Sequence, residues 1–208
     1  MHWAMEAFKT FNSNAIPHIV TTNIEHCATE LPLKKWRDHG QAEVTFVQVD
    51  KSTGMVTADA IERNLKTNTA LVSVMMANNE TGVIQPLKDI AEMMKKVNER
   101  RKIEGQFQIL IHTDAAQAFG KIPVSVQDLL VDYMTIVGHK VIIDDERFRE
   151  LVLNFPICSF MDLELALFII VKEFLASLPF LLAEVKSSIE GQGQKILPWP
   201  LALELPRS

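Results

Sequence analysis

The sequence predicts an α/β fold, a mostly parallel β-sheet with flanking helices on both faces. Three observations lead there. Short apolar runs over Thr69–Met76, Ile109–Thr113 and Val131–Val137 stop abruptly at polar residues, the mark of strands buried on both faces of a parallel sheet. Helical patterns fall between them, as where Ile90, Met93, Met94 and Val97 recur on one side of a stretch opened by Pro86. Two of the runs end in chemically able side chains, Asp114 and Gln117 after one, His139 and Lys140 after the other. In open α/β sheets, ligands sit outside such strand ends.

The chain has 208 residues, enough for one domain with a real core. Its formal net charge of −5 is spread over mixed signs, which argues against a nucleic-acid surface. Two cysteines, Cys27 and Cys158, give no disulfide framework and suit a reducing compartment. The opening residues lack the basic region and apolar run of a signal peptide, so the cytosol is the expected location.

Taken in order, Met1–Phe11 predicts a short helix with Trp3, Ala7, Phe8 and Phe11 on one side, broken by Asn12-Ser-Asn. Ile16–Thr22 reads as a strand running into Asn23-Ile-Glu-His26. On its own, His26 reads as a histidine beginning a helix, and Cys27 beside it as a small buried helix residue. Ala28–His39 is helical with Pro32 disturbing its early part; Glu43–Val49 is a strand; Asp50–Gly54 is a turn pivoting on its glycine. Thr57 predicts an N-cap for a helix over Ala58–Lys66, with Ile61 and Leu65 facing inward at i, i+4. After strand Thr69–Met76, composition alone makes Ala77-Asn-Asn-Glu-Thr-Gly82 an Asn-rich turn. Pro86 suits the first position of a helix to about Lys102. Lys95, Lys96, Arg100, Arg101 and Lys102 read as its solvated face. His112-x-Asp114 shares one face of a strand, but two ligands without a third make a poor metal site, and no metal is expected.

Four segments carry a resemblance. They are Thr21-Thr-Asn-Ile-Glu-His-Cys27, Met75-Met-Ala-Asn-Asn-Glu-Thr-Gly82, His112-Thr-Asp-Ala-Ala-Gln-Ala-Phe-Gly-Lys121 and Val131-Asp-Tyr-Met-Thr-Ile-Val-Gly-His-Lys140. In this order and spacing, the chain resembles the pyridoxal-phosphate enzymes of the cysteine desulfurase and selenocysteine lyase family, within the class V aminotransferases. Val137, where desulfurases usually carry serine, and Asn98-Glu-Arg-Arg-Lys-Ile-Glu-Gly105 look closer to the selenocysteine-cleaving branch. The resemblance implies that the fold is part of the large domain of a fold-type I pyridoxal-phosphate enzyme. It implies Lys140 as the lysine that holds pyridoxal 5'-phosphate, and Asp114 as the carboxylate paired with the ring nitrogen. It also places Gln117 on the ring hydroxyl, His26 over the ring as a proton carrier, Asn79 on the cofactor or the substrate carboxylate, and His139 near the phosphate.

The resemblance covers residues 16–140, read as a partial cofactor-binding large domain after an N-terminal segment over residues 1–15. The family's loop of Gly, Thr, Glu and Ser that cradles the phosphate is not seen in this sequence. Neither is its C-terminal domain, with a substrate-binding arginine and a cysteine loop. Residues 141–208 read as an unrelated helical and disordered tail. Within it, Asp144 is expected to cap a helix over Asp145–Leu153, and Leu163–Leu182 forms an apolar helix in which Lys172, Glu173 and Pro179 count against a membrane span. The expected activity is decomposition of L-selenocysteine to L-alanine with release of selenium, in a homodimer, on an amino-acid substrate. Two alternatives stand beside it: cysteine desulfuration, and a catalytically incomplete polypeptide that acts only by dimerising or binding.

Overall fold

A computed structural model describes residues 1–13, 15–124, 126–137, 157–161 and 166–170. The elements are α1 (His2–Phe11), β1 (His18–Thr22), α2 (Cys27–Asp38), β2 (Glu43–Val47), α3 (Ala58–Glu62), β3 (Thr69–Ser73) and α4 (Leu87–Ile103). They continue with β4 (Leu110–Asp114), α5 (Val126–Leu129), β5 (Tyr133–Ile136), β6 (Ile157–Met161) and β7 (Ala166–Ile170). They build one seven-stranded sheet in the order β2-β1-β3-β4-β5-β7-β6. β1 to β5 pair in parallel, and β7 and β6 continue the sheet antiparallel. The fold class is the one the apolar runs predict.

Every residue of β1, β3 and β4 is buried, as strands covered on both faces require. One face packs under α4, where Ile90, Met94, Val72, Ile111 and Met134 are all fully or almost fully buried. Burying each such side chain contributes roughly 1.5–3 kcal/mol. On α1, Phe8 is buried and meets Phe107 edge-on at 5.3 Å between ring centroids. The buried side of α1 is Ala4, Met5, Ala7 and Phe8, so the expected stripe through Phe11 is corrected: Phe11 is 54% exposed.

The turn and cap chemistry follows the sequence. Asp50 Oδ1 accepts from Ser52 N at 2.8 Å and Thr53 N at 3.0 Å, and Gly54 takes φ +70° to close the turn. Thr57 Oγ1 caps α3 by accepting from Ala60 N at 3.1 Å. α3 stops at Glu62 rather than Lys66, and Asn64 Nδ2 donates back to Ala60 O at 2.8 Å, competing with the helix ladder. Pro86 is the N-cap of α4 rather than its first residue. The apolar stretch read as a helix contains β7, whose Leu-Phe-Ile-Ile sequence suits a strand; its remainder and the expected Asp144 cap lie outside the described residues. No helix among the described residues is long and apolar enough to cross a membrane.

One residue departs from the solvated face expected of α4. Lys95, Lys96, Arg100 and Lys102 are exposed, but Arg101 is buried. Its guanidinium donates to Phe107 O at 2.7 Å, Lys66 O at 3.1 Å and Thr67 O at 2.7 Å, fastening the end of α4 to the loops that enter β3 and β4. A planar fork can serve three carbonyls at once, and an ammonium cannot match that geometry. Arg101→Ala is expected to cost about 3 kcal/mol, because it orphans buried carbonyls, with Arg101→Lys recovering less than half; urea denaturation measures both.

Two imidazoles cross-link the five parallel strands. His18 on β1 bridges Thr69 Oγ1 of β3 at 2.8 Å and Thr45 Oγ1 of β2 at 2.9 Å. His112 on β4 bridges Ser73 Oγ of β3 at 2.8 Å and Thr135 Oγ1 of β5 at 2.9 Å. Burial lowers the pKa of His18 to about 4 and that of His112 to about 3. Unfolding raises both to their ordinary value, so protons favour the unfolded chain. This contribution to stability is complete above about pH 6.5 and is lost as pH falls towards 4 and then 3. We expect His112→Asn to be less stable than the parent at pH 8, yet to lose less stability between pH 6.5 and 4; denaturation midpoints across pH would show equal slopes if the bridge were not neutral imidazole.

Candidate functional site

The site grows from the strand order. β1 has β2 on one side and β3 on the other, so chain progress reverses between β1 and β3. The connections leaving the two strands diverge there and leave a crevice beyond their C-terminal ends. The crevice takes the loop after β1, Asn23–His26, the loop after β3, Val74–Asn78, and the end of β4 at Asp114.

Two hydrogen bonds latch the loops together. Glu25 Oε1 accepts from Met75 N at 2.9 Å, and Asn78 Nδ2 donates to Ile24 O at 3.0 Å. Met76 N donates to Asp114 O at 2.8 Å, so the β3 loop also runs along the end of β4. Three of the four motif segments are thereby brought to one place. The fourth ends in Gly138-His139-Lys140; His139 and Lys140 lie outside the described residues, while β5, which leads to them, lies beside β4.

Asp114 is 8% exposed, and Ala116 N donates to its Oδ1 at 2.9 Å. No hydrogen bond from the described residues reaches its Oδ2. By strand alternation and register, Asp114 shares a face with His112, Ser73 and Thr21. Both ring nitrogens of His112 are engaged by hydroxyls, which leaves the ring no lone pair for an ion.

His26 is the N-cap of α2, and its Nδ1 accepts from Ala28 N at 3.2 Å. The neutral ring therefore carries its proton on Nε2. Beginning a helix and offering an N–H to a ligand are compatible roles here. Cys27 is exposed, not the buried residue its size suggests, and its Sγ lies 3.8 Å from His26 Nε2.

Gln117 is half-buried, and its Oε1 accepts from Lys121 Nζ at 2.7 Å. Asn79 sits exposed on the turn after β3. Its neighbour Asn78 organises that turn: its Oδ1 accepts from Glu80 N at 3.0 Å and Thr81 N at 2.8 Å.

Glu25 is the functional candidate that sequence reasoning passed over. It is 8% exposed, and Thr22 Oγ1 donates to its Oε1 at 2.6 Å. Its Oε2 is buried without a hydrogen-bond partner among the described residues. Burial raises its pKa to about 7, the bonds from Thr22 and Met75 oppose that rise, and the charge of Asp114 adds to it. The only sequence signal was its place between a buried strand and His26.

A family model, aminotransferase class V, matches residues 4–143. The chain is 48% identical to selenocysteine lyase of Xenopus laevis over 126 residues, 61% of this chain and 30% of that protein. It is 38% identical to cysteine desulfurase IscS of Methanosarcina thermophila over 139 residues, 67% of this chain and 31% of that protein. Among solved structures, DndA of Streptomyces lividans matches with a TM-score of 0.57 and 26% identity, covering 84% of this chain and 39% of that one. The chain thus spans about 30% of the length of the curated relatives it matches. With two thirds of its residues inside the family model, and the crevice assembled from the motifs that model spans, the chain belongs to the class V aminotransferase family.

Proposed function

We propose that this chain serves pyridoxal-phosphate-dependent decomposition of L-selenocysteine to L-alanine with release of selenium. The observation that carries the reading is Asp114, a nearly buried carboxylate at the end of the central strand, coupled by charge to the loop that bears His26.

The residues present fit the ring of pyridoxal phosphate. Asp114 has one oxygen fixed by Ala116 and the other free of bonds from the described residues, which suits a carboxylate that takes a ring N–H. The tautomer of His26 presents an N–H edge. When bound, the cofactor supplies an aldehyde for the substrate amine and a ring that draws electrons from the substrate. Asp114 would hold the proton on the ring nitrogen. Gln117 would donate to the ring hydroxyl from Nε2, since Lys121 occupies its Oε1. Lys140 would hold the cofactor and, once freed by the substrate amine, carry protons with His26. His139 would meet the phosphate, and Asn79, exposed on its turn, the substrate carboxylate.

Cysteine is the second substrate reading, favoured by the likeness to desulfurases. We also infer a cytosolic homodimer, from the cysteine usage and the resemblance; sedimentation and cell fractionation test these two points.

Purified chain mixed with pyridoxal phosphate is expected to develop a visible band that borohydride traps, absent in Lys140→Ala. Asp114→Asn should keep the band and lose roughly a hundredfold or more in alanine formation, the scale of losing one placed electrostatic group. Faster alanine release from cysteine than from selenocysteine would select the desulfurase reading. A folded parent without the band would overturn both.

A further inference from the structure

We propose that Glu25 is a positioning residue that works as a neutral carboxylic acid: its Oε1 latches the β1 loop to β3, its Oε2 carries the proton, and Asp114 is left as the negative charge of the crevice. The inference rests on the cofactor reading above only for the identity of the ligand.

The geometry assigns the proton. Oε1 already accepts two hydrogen bonds, from Thr22 Oγ1 at 2.6 Å and Met75 N at 2.9 Å. Its lone pairs are used, and a hydrogen there would collide with one donor or the other. Oε2 is buried and has no partner among the described residues. In the ionised form, that oxygen would hold charge away from water with no described residue donating to it, the costliest state for a buried carboxylate. Protonation converts it to an O–H and removes the charge, while leaving the latch through Oε1 intact.

The surroundings point the same way. The β3 loop brings the Met75 amide and no buried charge, and its Glu80 is exposed. β4 brings Asp114, a like charge. The β1 loop itself brings Thr22 and His26, whose Nδ1 faces Ala28 N. No cation among the described residues acts on Glu25. The charge on Asp114 raises the cost of a second charge on Glu25 in the same buried crevice. The pKa of Glu25, raised to about 7, agrees with that assignment. Because the folded value lies above the ordinary one, the neutral form stabilises the fold at low pH and this contribution is lost as pH rises from 4.5 to about 7.

If the latched crevice takes ligand only with Glu25 neutral, affinity falls as pH passes that point. From pH 7 to 8 the fall is about fivefold, by proton linkage alone. The test has two arms. In the first, the parent chain labelled with carboxyl-13C glutamate is titrated by NMR; one glutamate should titrate near pH 7, and its signal should vanish in Glu25→Gln. Titration of every glutamate below about pH 5 overturns the proposal. In the second arm, pyridoxal phosphate binding is followed by tryptophan quenching at pH 6, 7 and 8. Glu25→Gln, which copies the neutral acid, should fold, bind, and lack the fivefold fall seen in the parent. The same pH dependence in both proteins, or a Glu25→Gln chain that fails to fold, overturns it. No binding by either protein at any pH refutes the cofactor reading instead, and the NMR arm still decides Glu25.

Discussion

Strands β1, β3 and β4 have no face on water, and that constraint orders everything around them. A polar side chain on such a strand must find its partner inside the sheet or stand at its end. Thr113 does the former, donating to Val74 O at 2.8 Å, and His18 and His112 do so through the hydroxyls of their neighbours. Side chains at the C-terminal end that do not find a full set of partners are the ones left for chemistry. Asp114, Glu25 and Thr21 belong there, with Glu25 Oε2 and Thr21 Oγ1 the buried side-chain atoms without a partner among the described residues. Structural satisfaction and functional vacancy are thus separated along the strand direction.

The same separation creates opposed responses to pH. The imidazoles in the middle of the sheet favour the folded chain when solvent protons are scarce. The desolvated carboxyls at its ends favour it when protons are plentiful: buried Glu25 with a pKa near 7, and half-buried Asp132, raised to about 6 by desolvation while accepting from Ile111 N. A single pH–stability curve of the parent sums these trends and hides them, so the groups separate only when one is replaced at a time.

Local chemistry was legible in the sequence, and three-dimensional reach was not. Thr57 as a cap, Gly54 as a pivot and the Ile90–Met94 stripe depend on neighbours a few residues away, and all three stand as read. Asp114 and His26 stand out in the sequence through the resemblance that their spacing and type carry. Arg101 was misread because its partners, Lys66 O and Thr67 O, lie 35 and 34 residues back, where no periodicity points. Choosing Asn79 over Asn78 for the rim left the turn's organiser unseen, since two adjacent amides look alike until one is seen to bridge 54 residues to Ile24. Glu25 escaped for the same reason: its meaning comes from Met75 and Asp114, not from its flanks.

The latch between the β1 and β3 loops joins residues 50 and 54 positions apart, with α2, β2, α3 and β3 strung between them. Closing a segment of that length loses chain entropy before any contact compensates, so such bonds form after the local helices and turns. Interactions absent from the folding transition state act on the unfolding rate alone. A latch made after that transition state sets how long the crevice persists and leaves the speed of first folding to other contacts. A protein built this way can vary its ligand-facing loops across a family and change the lifetime of the folded crevice without slowing its assembly.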